Sequence, residues 1–199
     1  MARVGILGGT FNPPHLAHLI CATEAADQLS LDRVLLTPVA VPPHKEADGD
    51  PGAHERLELC RLAVAGDERI EVCDLEVARG GSSYTVDTLR ALHERDPENQ
   101  LTFILGGDIA LGLPNWHEPE AVLELATLAV AERAGASRRE ISERIEGAFP
   151  GVASLTFFEM PRIDISSSEI RSRVAGGRPI RYLVPDAVAD RIDQEGLYR

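Results

Sequence analysis

Residues 4–18 read Val-Gly-Ile-Leu-Gly-Gly-Thr-Phe-Asn-Pro-Pro-His-Leu-Ala-His, and this stretch decides the fold. The apolar run from Val4 to Leu7 predicts a short strand. The two glycines that follow, Gly8 and Gly9, let the backbone approach a ligand closely or take a positive φ. Asn12 is a plausible N-cap, and a proline just after it suits a first helical turn. The stretch therefore predicts a strand, a glycine turn and the N-terminus of a helix.

Outward from this stretch, short apolar runs alternate with helical patterns almost to the end of the chain. Five more strands are predicted at Val34 to Thr37, Ile70 to Cys73, Thr102 to Leu105, Leu128 to Ala131 and Leu155 to Phe158. Helices are predicted at His18 to Leu29, Arg56 to Ala65, Val86 to Glu94, Ala121 to Leu125, Arg138 to Ile145, Ser167 to Val174 and Asp186 to Glu195. This alternation predicts an α/β fold with a parallel sheet and helices on both faces.

We expect one domain over residues 1–199, with the C-terminal helices from about residue 166 packed on it. Parallel sheets of this kind bind ligands beyond the carboxyl ends of their strands. The segments that directly follow the strands are therefore the places where functional residues are expected.

Composition restricts the class of protein. The chain of 199 residues is 44% hydrophobic and 26% charged, which is typical of a globular protein rather than a disordered one. Its 32 acidic and 20 basic residues give a net charge of −12, which argues against binding nucleic acid or an anionic membrane. The three cysteines, Cys21, Cys60 and Cys73, form no C-x-x-C pair, and no targeting segment or membrane span is visible. A reducing cytoplasm is the expected location.

His15 and His18 are three residues apart near the start of the first predicted helix, so they share one face of it. The N-terminus of a helix presents unpaired N–H groups and a partial positive charge, which favour phosphate. The glycine turn is neither a G-x-G-x-x-G fingerprint nor a Walker A loop. Zinc is disfavoured because neither a cysteine pair nor an HExxH motif accompanies the histidines. The segment therefore predicts a phosphate cradle.

A second cradle is predicted at Ile165-Ser166-Ser167-Ser168-Glu169-Ile170-Arg171. Ser166 with Glu169 three residues later fits a capping box, so a helix begins there. Its first N–H groups, the serine hydroxyls and Arg171 can bind phosphate. Taken alone, this pattern is more typical of a capped surface helix.

Together the two segments resemble the nucleotidylyltransferase superfamily, which has Gly-Gly-Thr-Phe-x-Pro-x-His-x-x-His after strand one and Ile-Ser-Ser-Ser-x-Ile-Arg near the C-terminus. Further motifs resemble the bacterial nicotinate mononucleotide adenylyltransferases, in order from about residue 3 to the C-terminus. These motifs are Pro42-Pro43-His44-Lys45, Ser83-Tyr84-Thr85-Val86-Asp87-Thr88-Leu89, Gly106-Gly107-Asp108, Leu113-Pro114-Asn115-Trp116 and Tyr182-Leu183-Val184-Pro185.

The resemblance implies a Rossmann-like nucleotidylyltransferase fold and transfer of AMP from ATP to nicotinate mononucleotide, with Mg²⁺ carried by ATP and water. It implies catalytic roles for His15, His18 and Arg171. The ATP-binding residues that it implies are Gly8, Gly9, Thr10, Phe11, His15, His18, Gly106, Ser166, Ser167 and Arg171.

The acceptor-binding residues that it implies are Lys45, Ser83, Tyr84, Thr85, Asp108, Trp116 and Arg133. A helix begins near Thr85, and its N–H groups hold a carboxylate better than a neutral amide. The alternatives are a structural role for Trp116, a helix cap at Asp108 and simple solvation of Lys45. Arg56 is considered as a further phosphate contact.

Three positions depart from the family's pattern: Ala17 stands where glycine is usual, Asn12 where aspartate is common, and Ala134 where proline is usual.

Other functions stay open at this point. They are adenylyl transfer to NMN or phosphopantetheine and a non-catalytic nucleotide sensor. The sequence leaves undecided whether the protein is a monomer or a homo-oligomer.

Overall fold

The computed structural model describes residues 1–41, 49–132, 136–151 and 154–199. The strands are β1 (Arg3–Gly9), β2 (Arg33–Pro38), β3 (Ile70–Val72), β4 (Gln100–Gly106), β5 (Ala126–Glu132) and β6 (Leu155–Glu159). The helices of these residues are α1 (Leu16–Gln28), α2 (Ala53–Ala63), α3 (Leu75–Arg79), α4 (Thr85–Arg95), α5 (Gly107–Leu111), α6 (Pro119–Leu125), α7 (Arg138–Ala148), α8 (Ser167–Ala175) and α9 (Asp186–Gln194). A 3₁₀ turn spans Leu113–Asn115.

The strands form one parallel sheet in the order β3-β2-β1-β4-β5-β6. The predicted parallel sheet is confirmed, and so are all six strands and all seven helices that the periodicity predicts. The sequence did not predict α3, α5 or the 3₁₀ turn. Each is five residues or shorter, which is too short to show a helical repeat.

The four central strands, β2, β1, β4 and β5, bury side chains on both faces, as strands inside a parallel sheet do. In β1, Val4 and Ile6 pack in a core cluster with Leu89 of α4 and Val122 of α6. Leu7 belongs to a second cluster that contains three alanines of α1, Ala22, Ala25 and Ala26. The apolar runs in the sequence therefore reflect strands covered on both faces, as predicted.

A third apolar cluster packs the C-terminal helices on α2. It joins Leu59 of α2, Ile170 of α8 and Ile192 of α9. Beside it, Arg191 of α9 donates two hydrogen bonds to the carboxylate of Glu55, at 2.8 and 3.0 Å. This packing places the start of α8 next to the loop that follows β1. No helix within the described ranges is long and apolar enough to cross a membrane.

Candidate active site

The candidate site lies where the strand order reverses. β1 pairs with β2 on one side and with β4 on the other. After β1 the chain continues to α1, which packs on one face of the sheet, whereas after β4 it enters α5, whose Ala110 packs in the cluster on the other face. Such a reversal opens a crevice at the carboxyl ends of the strands, where ligands bind. The pairing of β1 with β4 places Gly8 and Gly9 beside Gly106, at adjacent strand ends.

Gly8 and Gly9 have different structural reasons for being glycine, and neither has a positive φ. A Cβ atom on Gly9 would lie 3.1 Å from the ring of Phe11, so packing inside the protein disfavours a side chain there. A Cβ atom on Gly8 would meet the Phe103 ring at 3.5 Å, an ordinary contact. The described part of the fold therefore tolerates a side chain at position 8, and glycine there keeps the strand end open to a ligand.

The loop after β1 takes a different path from the one that the sequence suggested. Asn12 is not the N-cap of α1: the helix begins at Leu16, and His15 occupies the N-cap position. Phe11 adopts a left-handed φ of 48°, and the two prolines follow Asn12 before the chain turns into the helix. The Asn12 side chain is only 2% exposed, and both polar atoms of its amide lack a hydrogen-bond partner among the described residues.

His15 and His18 form a stacked pair. Their ring centroids are 3.7 Å apart and the rings are 20° from parallel, which confirms that they share a face. The backbone N–H of His15 donates to Nδ1 of His18 at 3.2 Å, and Phe11 packs its ring edge against His18. An imidazole nitrogen that accepts a hydrogen bond is unprotonated, so neutral His18 carries its proton on Nε2. This cap orients His18 as an N–H donor.

The second predicted cradle lies against the first. Ser166 is the N-cap of α8, and its Oγ accepts a hydrogen bond from the N–H of Glu169 at 3.2 Å, so the predicted helix start is confirmed. Ser167 Oγ donates to the carbonyl of Pro13 at 2.8 Å. Arg171 Nη1 donates to the carbonyl of Asn12, also at 2.8 Å. Residues more than 150 positions apart in sequence thus meet at one site.

The C-terminal segment also holds the N-terminus of α1. The N–H of Leu16 donates to the carbonyl of Leu183 at 3.0 Å. One of the first N–H groups of the helix is therefore used by the protein itself. The sequence motif Tyr182 to Pro185 was a signal for this segment, but no local pattern shows which peptide group its carbonyl would meet.

The predicted acceptor residues gather around the start of α4. Tyr84 is its N-cap and Thr85 its first residue. The Tyr84 ring lies 4.5 Å from the ring of His117, the residue after Trp116. Trp116 is half-buried, and it meets Phe103 of β4 edge to face at 5.8 Å. An aromatic surface thus lies beside the helix N-terminus.

The remaining acceptor candidates differ in their placement. Ser83 is buried, and its Oγ accepts a hydrogen bond from the N–H of Ala40 at 3.0 Å. Asp108 is exposed in the first turn of α5. Lys45 and Arg133 lie outside the described residues.

Arg56 has an internal role that the sequence did not reveal. Its side chain is 1% exposed. Nη1 donates to the carbonyls of Thr10 and Val39, Nη2 donates to that of Ala40, and Nε bonds Asp50. With these four contacts the guanidinium holds the ends of β1 and β2 together, and it is not directed at a substrate phosphate.

Cys60 and Cys73 are unsuited to nucleophilic catalysis. Burial raises the pKa of the Cys60 thiol to about 12 and also raises that of Cys73. A thiol is nucleophilic as the thiolate, which such burial disfavours. In the described parts of the chain, no three histidine, cysteine or acidic side chains are grouped closely enough to hold a metal ion.

This fold and these cradles define a nucleotidyltransferase, and comparison with known proteins agrees. The sequence profile of the cytidylyltransferase-like family matches residues 6–173. A probable nicotinate-nucleotide adenylyltransferase of Shouchella clausii is 41% identical over 198 residues, spanning 100% of this chain and 97% of that protein. One of Citrifermentans bemidjiense is 43% identical over 211 residues and covers 98% of each chain. The chain belongs to the nicotinate-nucleotide adenylyltransferase family.

Solved structures support the fold. Nicotinic acid mononucleotide adenylyltransferase of Plasmodium falciparum, in complex with NaAD, superposes with a TM-score of 0.81 at 20% sequence identity. The match covers 100% of this chain and 98% of that one. The same enzyme in complex with APC gives a TM-score of 0.80. The Rossmann-like nucleotidylyltransferase fold implied by the sequence is confirmed.

Proposed function

We propose that this protein transfers the adenylyl group of ATP to nicotinate mononucleotide, giving deamido-NAD and pyrophosphate. Full-length relatives at 41–43% identity that are named for this reaction support the proposal. The observation that carries it is the contact between the two cradles: Ser167 and Arg171 of α8 bond the carbonyls of Pro13 and Asn12, beside the stacked histidines.

The chemistry requires little from the protein beyond position and charge. An oxygen of the acceptor's phosphate forms a bond to the α-phosphorus of ATP. The bond from that phosphorus to the bridging oxygen of the departing pyrophosphate breaks. The second pKa of a phosphate monoester is about 6, so the dianion predominates at neutral pH. The dianion is already a nucleophile and needs no general base. Catalysis then rests on alignment and on stabilising the developing charge.

His15 and His18 are assigned to the triphosphate. Because His18 Nδ1 accepts from the His15 backbone, Nε2–H is the group of this ring that we assign as donor to a phosphoryl oxygen. A donor fixed before the reaction stabilises transition-state charge without a reorganisation cost. Gly8 and Gly9, with Thr10 and Phe11, would hold the adenosine and phosphates at the end of β1.

Ser166, Ser167 and Arg171 are assigned to the departing pyrophosphate. They lie in the first turns of α8, whose N-terminus favours anions. Gly106, at the end of β4, is assigned to the adenosine through its backbone.

The acceptor is assigned to the other half of the site. The N-terminus of α4 at Ser83, Tyr84 and Thr85 would hold the nicotinate carboxylate, because its N–H groups favour a charged oxygen over an amide. Trp116 would stack on the pyridine ring and Asp108 would accept ribose hydroxyls. Lys45 and Arg133 are assigned to the acceptor by resemblance alone.

Mg²⁺ is proposed as the cofactor, entering with ATP. It prefers oxygen ligands, whereas the cradles offer mainly N–H groups and imidazoles, so phosphate oxygens and water would hold it. When bound, it neutralises charge on the triphosphate. We also propose a cytoplasmic location and small-molecule partners only. Three cysteines that form no disulfide support the location, and the net charge of −12 argues against nucleic acid as a partner.

Pyrophosphate release by the purified protein with Mg-ATP tests the proposal. Nicotinate mononucleotide, NMN and phosphopantetheine are supplied in parallel as acceptors. We expect strong preference for nicotinate mononucleotide. Preference for another acceptor would retain the ATP site and overturn the roles of Thr85 and Trp116. Measurable ATP binding without release from any acceptor would establish a nucleotide sensor instead.

A further inference from the structure

Glu76 of α3 is a buried carboxyl that the proposed reaction does not use. Glu76 is only 6% exposed, and no other acidic residue in the described part of the chain is buried. Thr88 of α4 donates a hydrogen bond from Oγ1 to Glu76 Oε1 at 2.7 Å. A buried carboxyl is costly unless hydrogen bonds compensate it, so its position calls for a reason.

The contacts of Glu76 lead to the acceptor segment. Burial raises the pKa of this carboxyl, and the hydroxyls of Thr88 and Ser83 both counteract that rise. The other carboxylate oxygen, Oε2, is buried and makes no hydrogen bond within the described residues, so the Thr88 bond to Oε1 is what joins this carboxyl to α4. Glu76 is therefore tied to the first turn of α4, close to Ser83 just before that helix.

The hydrogen bonds of Ser83 lead to the nucleotide half of the site through a single residue, Ala40. Ala40 donates its N–H to Ser83, and its carbonyl accepts a hydrogen bond from Arg56 at 2.9 Å. Arg56 also bonds the carbonyl of Thr10, at the end of the first cradle's glycine turn. Hydrogen bonds through Ala40 and Arg56 thus join Ser83 in the acceptor half to Thr10 in the nucleotide half.

We propose that Glu76 is a positioning residue for the acceptor half of the site. By holding Thr88 it fixes the first turn of α4 against α3, and so sets the position of the acceptor's binding groups. This rests on the proposed function, because it takes the start of α4 as the place where the acceptor binds. Among the described residues, the hydrogen-bonding and charged neighbours of Glu76 are Thr88, Ser83, Arg79 and Asp87, and not His18 or Arg171, so its effect falls on the acceptor rather than on ATP.

Two pairs of variants test this. Thr88→Val removes the hydroxyl at nearly constant volume, and Thr88→Ser keeps it. Glu76→Gln removes the charge, and Glu71→Gln makes the same change at an exposed carboxylate of β3. Steady-state rates are measured with ATP and nicotinate mononucleotide varied separately, together with Tm.

We expect Thr88→Val to raise the KM for nicotinate mononucleotide about fivefold to tenfold, the loss of one buried hydrogen bond. Glu76→Gln keeps an oxygen that accepts the Thr88 hydroxyl and should raise this KM by a smaller factor. The KM for ATP should stay within about twofold, since the ATP cradle is not touched. Thr88→Ser and Glu71→Gln should behave as the wild type does. Equal changes in both KM values, or a lower Tm with neither KM changed, would overturn the proposal.

Amide hydrogen exchange separates this inference from the proposed function. Thr88→Val, but not Thr88→Ser, should speed exchange at residues 83–88 and leave residues 15–20 unchanged. If the wild type releases no pyrophosphate with nicotinate mononucleotide, the proposed function fails, and the exchange comparison still decides whether Glu76 and Thr88 hold this segment. Should Glu76→Gln not fold, the Thr88 pair decides alone, and unchanged exchange at residues 83–88 contradicts the positioning role.

Discussion

The imidazoles of His15 and His18 are stacked 3.7 Å apart, and the backbone N–H of the first residue donates to Nδ1 of the second at 3.2 Å. One histidine is thus the N-cap of α1 while the other completes the cap from the first turn. The hydrogen bond that stabilises the helix start also leaves the proton of neutral His18 on Nε2.

Replacing His18 with Asn or with Gln separates the two roles. In His18→Asn the amide oxygen can take the place of Nδ1 and keep the cap, but no group replaces Nε2–H. We expect a Tm close to that of the wild type and a kcat at least about 100-fold lower, as for loss of a transition-state donor. His18→Gln can also accept the N–H of His15, as glutamine does in a capping box, and its longer amide should retain more turnover than asparagine. Steady-state kinetics and thermal unfolding of both variants measure this, and a fully active His18→Asn enzyme would remove His18 from the mechanism.

Arg171→Lys tests the contact between the cradles. Lysine keeps the charge but cannot bond the Asn12 carbonyl and a phosphate with one planar group. We expect kcat/KM for ATP to fall about 10- to 100-fold. Arg173→Lys, two residues along the same helix and paired with Glu169, is the matched control and should change it less than about twofold. Similar losses in both variants would indicate a general effect of the helix.

Gly8→Ala should weaken ATP binding without loss of stability. The added Cβ meets Phe103 at an ordinary 3.5 Å, so the free protein accommodates it, whereas a ligand lying against the strand end cannot. We expect the KM for ATP to rise at least about tenfold, as when a 1.4 kcal/mol contact is lost. Gly147→Ala, in open space on α7, is the control; it should leave KM unchanged and stabilise the fold by about 0.5–1 kcal/mol. An unchanged KM for ATP in Gly8→Ala would place the nucleotide elsewhere.

The fold was predictable because its strands are apolar on consecutive residues and its longer helices are not. In β1, for example, Val4 packs in one core cluster and Leu7 in the other, so side chains on both faces of the strand are apolar. Short α5 begins directly at Gly107, and five residues are too few for a helical repeat to show in the sequence. The N-cap of α1 was placed too early, at Asn12, because the left-handed Phe11 and the two prolines carry the chain on to His15, which is the N-cap.

The site was predictable where chemistry and local structure coincide, as in the Ser166 cap and the histidine pair. It was not predictable where a side chain meets a distant backbone. Ser83 bonds Ala40 across 43 residues, and Arg56 bonds Thr10 across 46. These pairings depend on which strand ends are adjacent in the sheet, and the residues around Ser83 or Arg56 in the sequence do not predict that.

The ion pair between Glu55 and Arg191 should make stability depend on pH. The hydrogen bond from Arg191 lowers the pKa of Glu55 in the folded state. The pair therefore contributes fully above the unfolded pKa of about 4.3, and its contribution is lost as pH falls through the lower folded value. We expect the Tm of Glu55→Gln to be about 1–3 °C lower than that of the wild type at pH 7. Thermal unfolding from pH 7 to 3 should show this gap closing, and a gap that widens in acid contradicts the assignment.

Asn12 offers a test of whether this site is built for a ligand rather than for stability. Its amide is buried with neither polar atom paired within the described chain. Burying such a group without hydrogen bonds costs about 1–3 kcal/mol, so the free protein gains nothing from it. Asn12→Ala removes that cost and creates a small cavity, and these opposing effects should leave the free energy of unfolding within about 1 kcal/mol of the wild type.

Activity should respond differently, because a bound nucleotide or its Mg²⁺ supplies the partners that the protein does not. We expect Asn12→Ala to lower kcat/KM for ATP at least about tenfold, the effect of losing a buried hydrogen bond to a charged group. Denaturant unfolding and steady-state kinetics on the same preparation compare the two quantities. If the variant is strongly destabilised and its kcat/KM is unchanged, the buried amide serves the fold. Near-native stability with impaired turnover means that its hydrogen bonds are made only when the substrate is present.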